Sequence, residues 1–273
     1  MFLRWNMSKI FCPVCGSESI HNYFKDGPYL KECKDCKITF TYPLPEGLTE
    51  AYDEDYYKIW YEKQLRQRVK LWRRRLKTVK KFCKSGKLLD VGTGDGLFLK
   101  IAKTASFNVC GTEISPAAVR AAKNHYDLDI HLTEIENADF EENSFDVITI
   151  WHVIEHVKNP LEVMEKLYKL SKPGAVVFVA TPNLDKHLAR IVYRLKSNKP
   201  YPFYSPEGEQ HLFHFTESTL KKIIKESGFN IIYTGVDFAS IRLKFKMLEC
   251  TSFILSTIFH RNWNENILVI AQK

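Results

Sequence analysis

A short apolar run, Lys87-Leu-Leu-Asp-Val91, breaks into Gly92-Thr-Gly-Asp-Gly96 and resumes as Leu97-Phe-Leu-Lys-Ile-Ala-Lys103. A buried-type strand, a glycine-rich turn and a helix, in that order, point the chain toward an α/β layer fold. Glycines in such a turn let the backbone approach a ligand, and the free N–H groups of the helix favour an anionic group there. The spacing Asp90-x-Gly92-x-Gly94-x-Gly96 departs from the G-x-G-x-x-G dinucleotide fingerprint. It also departs from the P-loop, which needs Gly-Lys-Ser/Thr.

Downstream, strand and helix signals alternate. A second strand, Phe107–Thr112, ends at Glu113. An acidic residue in that position accepts hydrogen bonds from vicinal ribose hydroxyls, which also suits a nicotinamide cofactor. Ser115-Pro116 reads as an N-cap followed by proline at the first helical position. A third strand, Asp129–Leu132, leads to Glu134-Ile135. A fourth, Ser144–Ile150, runs into Trp151-His-Val-Ile-Glu-His156. Asn159-Pro160 caps a helix expected to close at Lys172-Pro-Gly174, before a fifth strand, Ala175–Ala180, ends in Thr181-Pro-Asn183. A sixth strand, Asn230–Thr234, and a last one, Asn266–Ala271, complete the pattern. From these residues alone the reading is an α/β domain that binds a ribose-containing cofactor.

Taken together, Leu88-Leu-Asp-Val-Gly-Thr-Gly-Asp-Gly96, Asn143-Ser-Phe-Asp146, Val153-Ile-Glu-His-Val157, Lys172-Pro-Gly174 and Thr181-Pro-Asn183 resemble the ordered motifs of class I S-adenosylmethionine-dependent methyltransferases. The resemblance covers residues 86–273. It is nearest the branch with ubiquinone-biosynthesis O-methyltransferases and sugar- or polysaccharide-cluster methyltransferases. It implies a Rossmann-like seven-stranded sheet with the last strand antiparallel, and S-adenosyl-L-methionine as cofactor. By the same resemblance Asp90, Gly92, Thr93, Gly94 and Gly96 surround the methionyl part, and Glu113 holds the ribose hydroxyls. Ile114 packs on the adenine face, Glu134 and Ile135 lie near the adenine edge, and Trp151 and His152 approach the methionyl chain.

Methyl transfer from a sulfonium needs orientation and a deprotonated acceptor more than covalent help from the protein. A hydroxyl acceptor calls for a base, with histidine or a carboxylate the expected type. His156 is one candidate. His211, in Gln210-His-Leu-Phe-His-Phe-Thr216 ahead of the helix Glu217–Ser227, is the other and is preferred to His214. In some relatives, small-RNA 2′-O-methyltransferases among them, Glu-x-x-Glu-His and a later histidine hold a divalent ion. Here His152 replaces the first glutamate, and Glu155, His156 and His211 supply the rest. Segments 184–215 and 238–263 read as substrate-side insertions, the second apolar enough to be a lid, a dimer face or an interfacial membrane helix.

Ahead of this domain, Cys12-Pro-Val-Cys15 and Cys33-Lys-Asp-Cys36 are separated by 17 residues. Two C-x2-C pairs supply four thiolates to one tetrahedral ion and leave no open position, so residues 1–45 read as a ribbon with a structural zinc. Cys83, Cys110 and Cys250 are scattered and read as packing residues. Residues 46–85 form an aromatic and basic connector. Between Lys58 and Lys87 there are 13 Lys or Arg residues and one acid, Glu62, a local +12 in a chain of net charge +8. The basicity therefore belongs to one amphipathic helix, with Leu65, Val69, Leu71, Trp72, Leu76, Val79 and Phe82 at near-helical spacing.

At 273 residues, with 45% hydrophobic and 26% charged residues, the composition is that of an ordinary folded domain with a small appendage. Neither an 18-residue apolar stretch nor a signal peptide is apparent, so a cytoplasmic location is expected. The expectation is an O-methyltransferase acting on a small molecule such as a sugar, glycan-lipid or quinone-like ring. The rivals are an RNA-modifying methyltransferase, favoured by the local +12, and a non-catalytic cofactor-binding module. Peripheral contact with a membrane is a further expectation from the apolar insertion.

Overall fold

The computed structural model describes residues 9–24, 27–43, 54–197, 211–239, 243–259 and 262–273. Its amino-terminal unit is a sheet of β1 (Ile20–Phe24), β2 (Gly27–Cys33) and β3 (Thr39–Thr41), fronted by two cysteine turns. In the first turn Gly16 N–H donates to the Cys12 carbonyl, and in the second Lys37 N–H donates to the Cys33 carbonyl, each at 2.9 Å. Both turns need a left-handed residue: Gly16 has φ 71° and Lys37 has φ 66°. Glycine adopts that conformation without steric cost, whereas at Lys37 the turn imposes it on a residue with a side chain. The connector's Pro45, Tyr52 and the stretch between them lie outside the described residues, as do the side chains of Tyr56, Tyr57, Trp60 and Tyr61.

The basic segment is a helix, α1 (Glu54–Val79). Arg66, Lys70, Arg73, Arg74 and Lys77 are exposed, as an amphipathic reading expects, while Leu76 and Val79 are buried. Two cations depart from that reading. Arg68 and Arg75 lie on the inward face and are buried. Arg68 makes a bidentate pair with Asp95 at 2.7 and 2.6 Å, and Arg75 pairs with Asp237 while stacking 4.6 Å over Trp72 and 4.7 Å over Trp151.

The main domain then alternates. In order come β4 (Gly86–Val91), α2 (Leu97–Lys103), β5 (Phe107–Glu113), α3 (Pro116–Tyr126) and β6 (His131–Leu132). They are followed by β7 (Phe145–Trp151), α4 (Pro160–Leu170), β8 (Ser171–Pro182) and α5 (His187–Ser197). The chain continues with β9 (Phe213–His214), α6 (Glu217–Glu226), β10 (Asn230–Gly235), α7 (Leu243–Phe259) and β11 (Asn266–Gln272). The seven-stranded sheet has the order β10-β11-β8-β7-β4-β5-β6, with β11 antiparallel to both of its neighbours, as the resemblance implied. Parallel strands buried on both faces need near-continuous apolar runs. Leu88, Leu89 and Val91 in β4, and Phe145, Val147, Ile148 and Ile150 in β7, supply them; Asp146 and Thr149 break the second run.

The caps fall where the sequence put them. Ser115 accepts from Ala118 N–H ahead of Pro116, and Asn159 accepts from Leu161 and Glu162 N–H ahead of Pro160. Lys172-Pro-Gly174 does not end the helix. α4 closes at Leu170, and these residues bulge within β8, where Phe145 pairs with Ser171 but Val147 pairs with Val176. The third strand shrinks to His131–Leu132. Cys250 is exposed and so is not a packing residue. No described helix is long and apolar enough to cross a membrane.

The ribbon is more closely joined to the domain than a linear division at residue 45 suggests. Its sheet has the order β1-β2-β3-β9, so the fourth strand comes from the 184–215 segment. Cys12, Cys33, Cys36, Ile38 and Phe40 share one apolar core with Ile154, Leu212, Phe215 and Leu220.

Removing one partner of a buried ion pair leaves an uncompensated charge, at a cost of about 3–5 kcal/mol. Arg68→Met is therefore expected to destabilise the protein by about that amount in urea unfolding. Adding Asp95→Asn, which removes the charge yet keeps an acceptor for Leu97 N–H, is expected to recover most of the loss. Equal instability of the single and double variants would contradict the pairing.

Candidate active site

In this sheet β4 has β5 on one side and β7 on the other, and their connections leave toward opposite faces. A crevice at the carboxyl ends of the strands follows from that reversal. The loop Gly92 to Gly96 lies there. Gly92, Gly94 and Gly96 all have positive φ. At Gly92 a Cβ would lie 2.4 Å from Val153 Cγ2, so the loop packs directly against the turn after β7 and only glycine fits.

Glu113 closes β5 and turns its carboxylate back onto this loop. It accepts from Gly94 N–H at 2.8 Å, and from Ile114 and Ser115 N–H at 2.8 and 2.9 Å. Burial pushes its carboxyl up, opposed by those three amide donors. Beside this buried carboxylate Ile114 is 40% exposed, an apolar face presented at the mouth of the crevice. A buried acceptor fixed to a glycine loop, next to an exposed apolar side chain, has the chemistry to suit a nucleoside: a carboxylate for vicinal hydroxyls and an isoleucine for the face of a base.

Below the loop, Asp90 is buried and accepts from Thr149 Oγ1 at 2.6 Å. Burial pushes its carboxyl up to about 7, more than the hydrogen bond from Thr149 pulls it down. Trp151 lies on the face of β7 that carries Thr149 and therefore Asp90, and its ring is buried 6.0 Å from Phe98 of α2 and 6.3 Å from Phe178, under Arg75. Ile135 is buried in the core, while Glu134 is partly exposed and paired with Lys158 at 3.2 Å.

The turn after β7 collects the remaining polar groups. His152 has φ 57°, a left-handed conformation uncommon for a residue with a side chain. Its Nε2 lies 3.2 Å from Asp237 Oδ2, and its Nδ1 lies 3.6 Å from Glu155 Oε1. Burial alone would lower the imidazole, but Asp237 and Glu155 outweigh it and hold the proton on. A carboxylate faces each ring nitrogen, so both are engaged and the imidazole holds a proton more tightly than a free one. Glu155 is buried and accepts from Thr181 Oγ1 at 2.9 Å. Burial would raise its carboxyl, yet His152, His156 and His211 together hold it down to about 2. The His156 and His211 rings stand 4.8 Å apart. One ligand atom from each of Glu155, His156 and His211 lies within 4.8 Å of the others, close enough to share a proton or a cation.

In the ribbon, the Cys12 and Cys36 sulfurs are 3.5 Å apart and those of Cys15 and Cys33 3.6 Å. A disulfide needs about 2.05 Å, whereas a tetrahedral zinc with bonds of about 2.3 Å separates sulfurs by about 3.8 Å. The four thiols therefore match an ion.

Sequence reasoning missed Arg68, Arg75, Asp95 and Asp237. The first two share the helical phase of Trp72 and Val79, a signal that was present; nothing local marks Asp237.

The Asp90 and Glu155 shifts carry opposite signs. The folded state holds the Asp90 proton more tightly than the unfolded chain, whose carboxyl titrates near 3.8. That contribution is complete at low pH and disappears as pH rises through about 7. Glu155 contributes above 4.5 and loses its contribution as pH falls toward 2. Asp90→Asn is expected to melt higher than the native protein at pH 8 and to flatten the decline in melting temperature between pH 4 and 7. An unchanged slope would exclude a raised Asp90.

The methyltransferase-domain family model matches residues 61–234. A ubiquinone biosynthesis O-methyltransferase of Actinobacillus pleuropneumoniae serotype 7 (strain AP76) is 34% identical over 109 residues, 36% of this chain and 46% of that protein. Its counterpart in Hahella chejuensis (strain KCTC 2396) is 33% identical over 103 residues, 36% and 43% of the two chains. The chain thus spans less than half the length of these curated relatives. A SAM-dependent methyltransferase from Archaeoglobus fulgidus matches with a TM-score of 0.57 at 18% identity, covering 80% of this chain and 100% of that one. A possible histamine N-methyltransferase from Thermotoga maritima gives 0.56 at 18% identity, covering 83% and 98%. Identities this low speak for the fold alone. With more than half of its length matched by the family model, the chain belongs to the methyltransferase-domain family and has the fold of its S-adenosylmethionine-dependent members.

Proposed function

We propose that the protein transfers a methyl group from S-adenosyl-L-methionine to an oxygen of a small-molecule acceptor. The observation that carries this reading is Glu113, buried at the end of β5 and hydrogen-bonded to Gly94 N–H, with Ile114 exposed beside it. Bound in that crevice, the cofactor supplies an electrophilic methyl on a positive sulfur. The chain's own residues do the rest. Glu113 accepts from the ribose hydroxyls and Ile114 covers the adenine. Asp90, Thr93 and the glycine loop border the methionyl part, with the turn at His152 opposite them. Trp151, on the face of β7 shared with Thr149, approaches the methionyl chain together with His152 from the end of that strand. Glu134 and Ile135 frame the adenine edge through their backbone.

At the acceptor end His211 takes the hydroxyl proton on an imidazole nitrogen, and His156 with the Glu155 carboxylate stabilises the charge so formed. Two matched relatives that carry O-methyltransferase in their names support oxygen as the acceptor atom. The sugar, glycan-lipid or quinone-like class is inferred from the same likeness. The four ribbon cysteines hold a structural zinc. Exposed Arg66, Lys70, Arg73, Arg74 and Lys77 favour a second reading, RNA as the acceptor, which predicts binding that weakens steeply with salt.

Glu113→Ala is expected to weaken S-adenosylmethionine binding more than tenfold in calorimetry, since hydrogen bonds to a charged acceptor contribute about 1.5–3 kcal/mol. Unchanged affinity would overturn the pocket. His211→Ala is expected to lower transfer of labelled methyl to a cell-extract fraction at least tenfold with little change in cofactor affinity; unaltered transfer excludes it as base. Elemental analysis should find one zinc per chain, lost in Cys33→Ser, and a zinc-free native protein would refute the ribbon assignment.

A further inference from the structure

The ribbon and the acceptor end of the crevice meet at a side chain that belongs to neither set of motifs. Thr41 ends β3 and is fully buried. Its hydroxyl lies 2.8 Å from the His211 carbonyl oxygen and 3.0 Å from His214 Nε2. A hydroxyl has one proton to give, so Thr41 donates to the His211 carbonyl and accepts from His214, whose Nε2 then carries hydrogen. The Thr41 backbone N–H also donates to the Leu212 carbonyl at 2.9 Å. On the far side of the same strand, the Leu212 and Phe213 N–H groups both donate to the Glu155 carbonyl, at 2.8 and 3.0 Å. Residues 211–213 are thus clamped between the last ribbon strand and the turn that bears Glu155 and His156.

We propose that Thr41 is a positioning residue for the transfer site: through the His211 carbonyl and the His214 ring it fixes the His211 imidazole opposite His156 and Glu155. This rests on the reading that His211 faces the acceptor. The ribbon is then one jaw of the site, and its last strand sets where the candidate base stands. Valine has the shape of threonine without the hydroxyl, so Thr41→Val removes both side-chain hydrogen bonds and leaves the apolar contacts in place. Serine restores the hydroxyl.

The test uses the full chain, labelled with ¹⁵N-histidine, with ring resonances of its nine histidines assigned by single substitutions. In Thr41→Val the His211 and His156 ring signals are expected to shift or broaden, while affinity for S-adenosylmethionine stays within twofold and metal content is unchanged. In Thr41→Ser the signals are expected at their native positions. Native His211 signals in Thr41→Val, or an equal disturbance in Thr41→Ser, would overturn the proposal. Hydrogen exchange of the native protein tests the clamp even if Thr41→Val fails to fold. The Thr41, Leu212 and Phe213 amides are expected to exchange together; a Thr41 amide exchanging a hundredfold faster than Leu212 would overturn the clamp. Calorimetry keeps the two readings apart: a native protein that does not bind the cofactor defeats the reading of the crevice, whereas the histidine signals judge Thr41 by themselves.

Discussion

Five carboxylates, those of Asp90, Asp95, Glu113, Glu155 and Asp237, are buried at the carboxyl end of one sheet. Desolvating that much negative charge is tolerated only where protons, cations or N–H groups answer it. Each group is answered differently. Arg68 and Arg75 reach in from α1 to Asp95 and Asp237, three backbone amides face Glu113, histidines surround Glu155, and Asp90 is left to retain its proton. The position of α1 follows from this need. A helix carrying 26 residues of strongly basic sequence lies across the domain because two of its cations have buried counterions there.

That charge balance also separates the candidate base from its neighbours. His152 is held between two carboxylates, which raise its affinity for a proton. His156 and His211 lie with their rings 4.8 Å apart beside Glu155, whose other oxygen is tied to Thr181. Two neighbouring imidazoles at one buried carboxylate suit proton movement between them.

Much of the fold was legible because its determinants are local. The glycine loop, the Ser115 and Asn159 caps and the apolar strands each announce themselves within a few residues, and all lie where the sequence indicated. What was not legible depends on long separations. Asp237 meets Arg75 across 162 positions, and Thr41 meets His214 across 173. Lys172-Pro-Gly174 misled for a different reason: proline and glycine end helices, but they equally suit a bulge, and register with β7 selected the bulge. The burial of Trp151 was not legible either, since Phe98 and Phe178 that enclose its ring, and Arg75 that stacks over it, lie at least 27 positions away.

The placement of β11 has a consequence for synthesis. β10 pairs with β11, and β11 separates it from β8. Until residues 266–272 have left the ribosome, β8 presents an open edge of main-chain donors and acceptors, and β10 has no neighbour in the sheet. Vectorial folding therefore stalls with the sheet split in two, and a nascent chain in that interval is the form most prone to pair with another copy of itself.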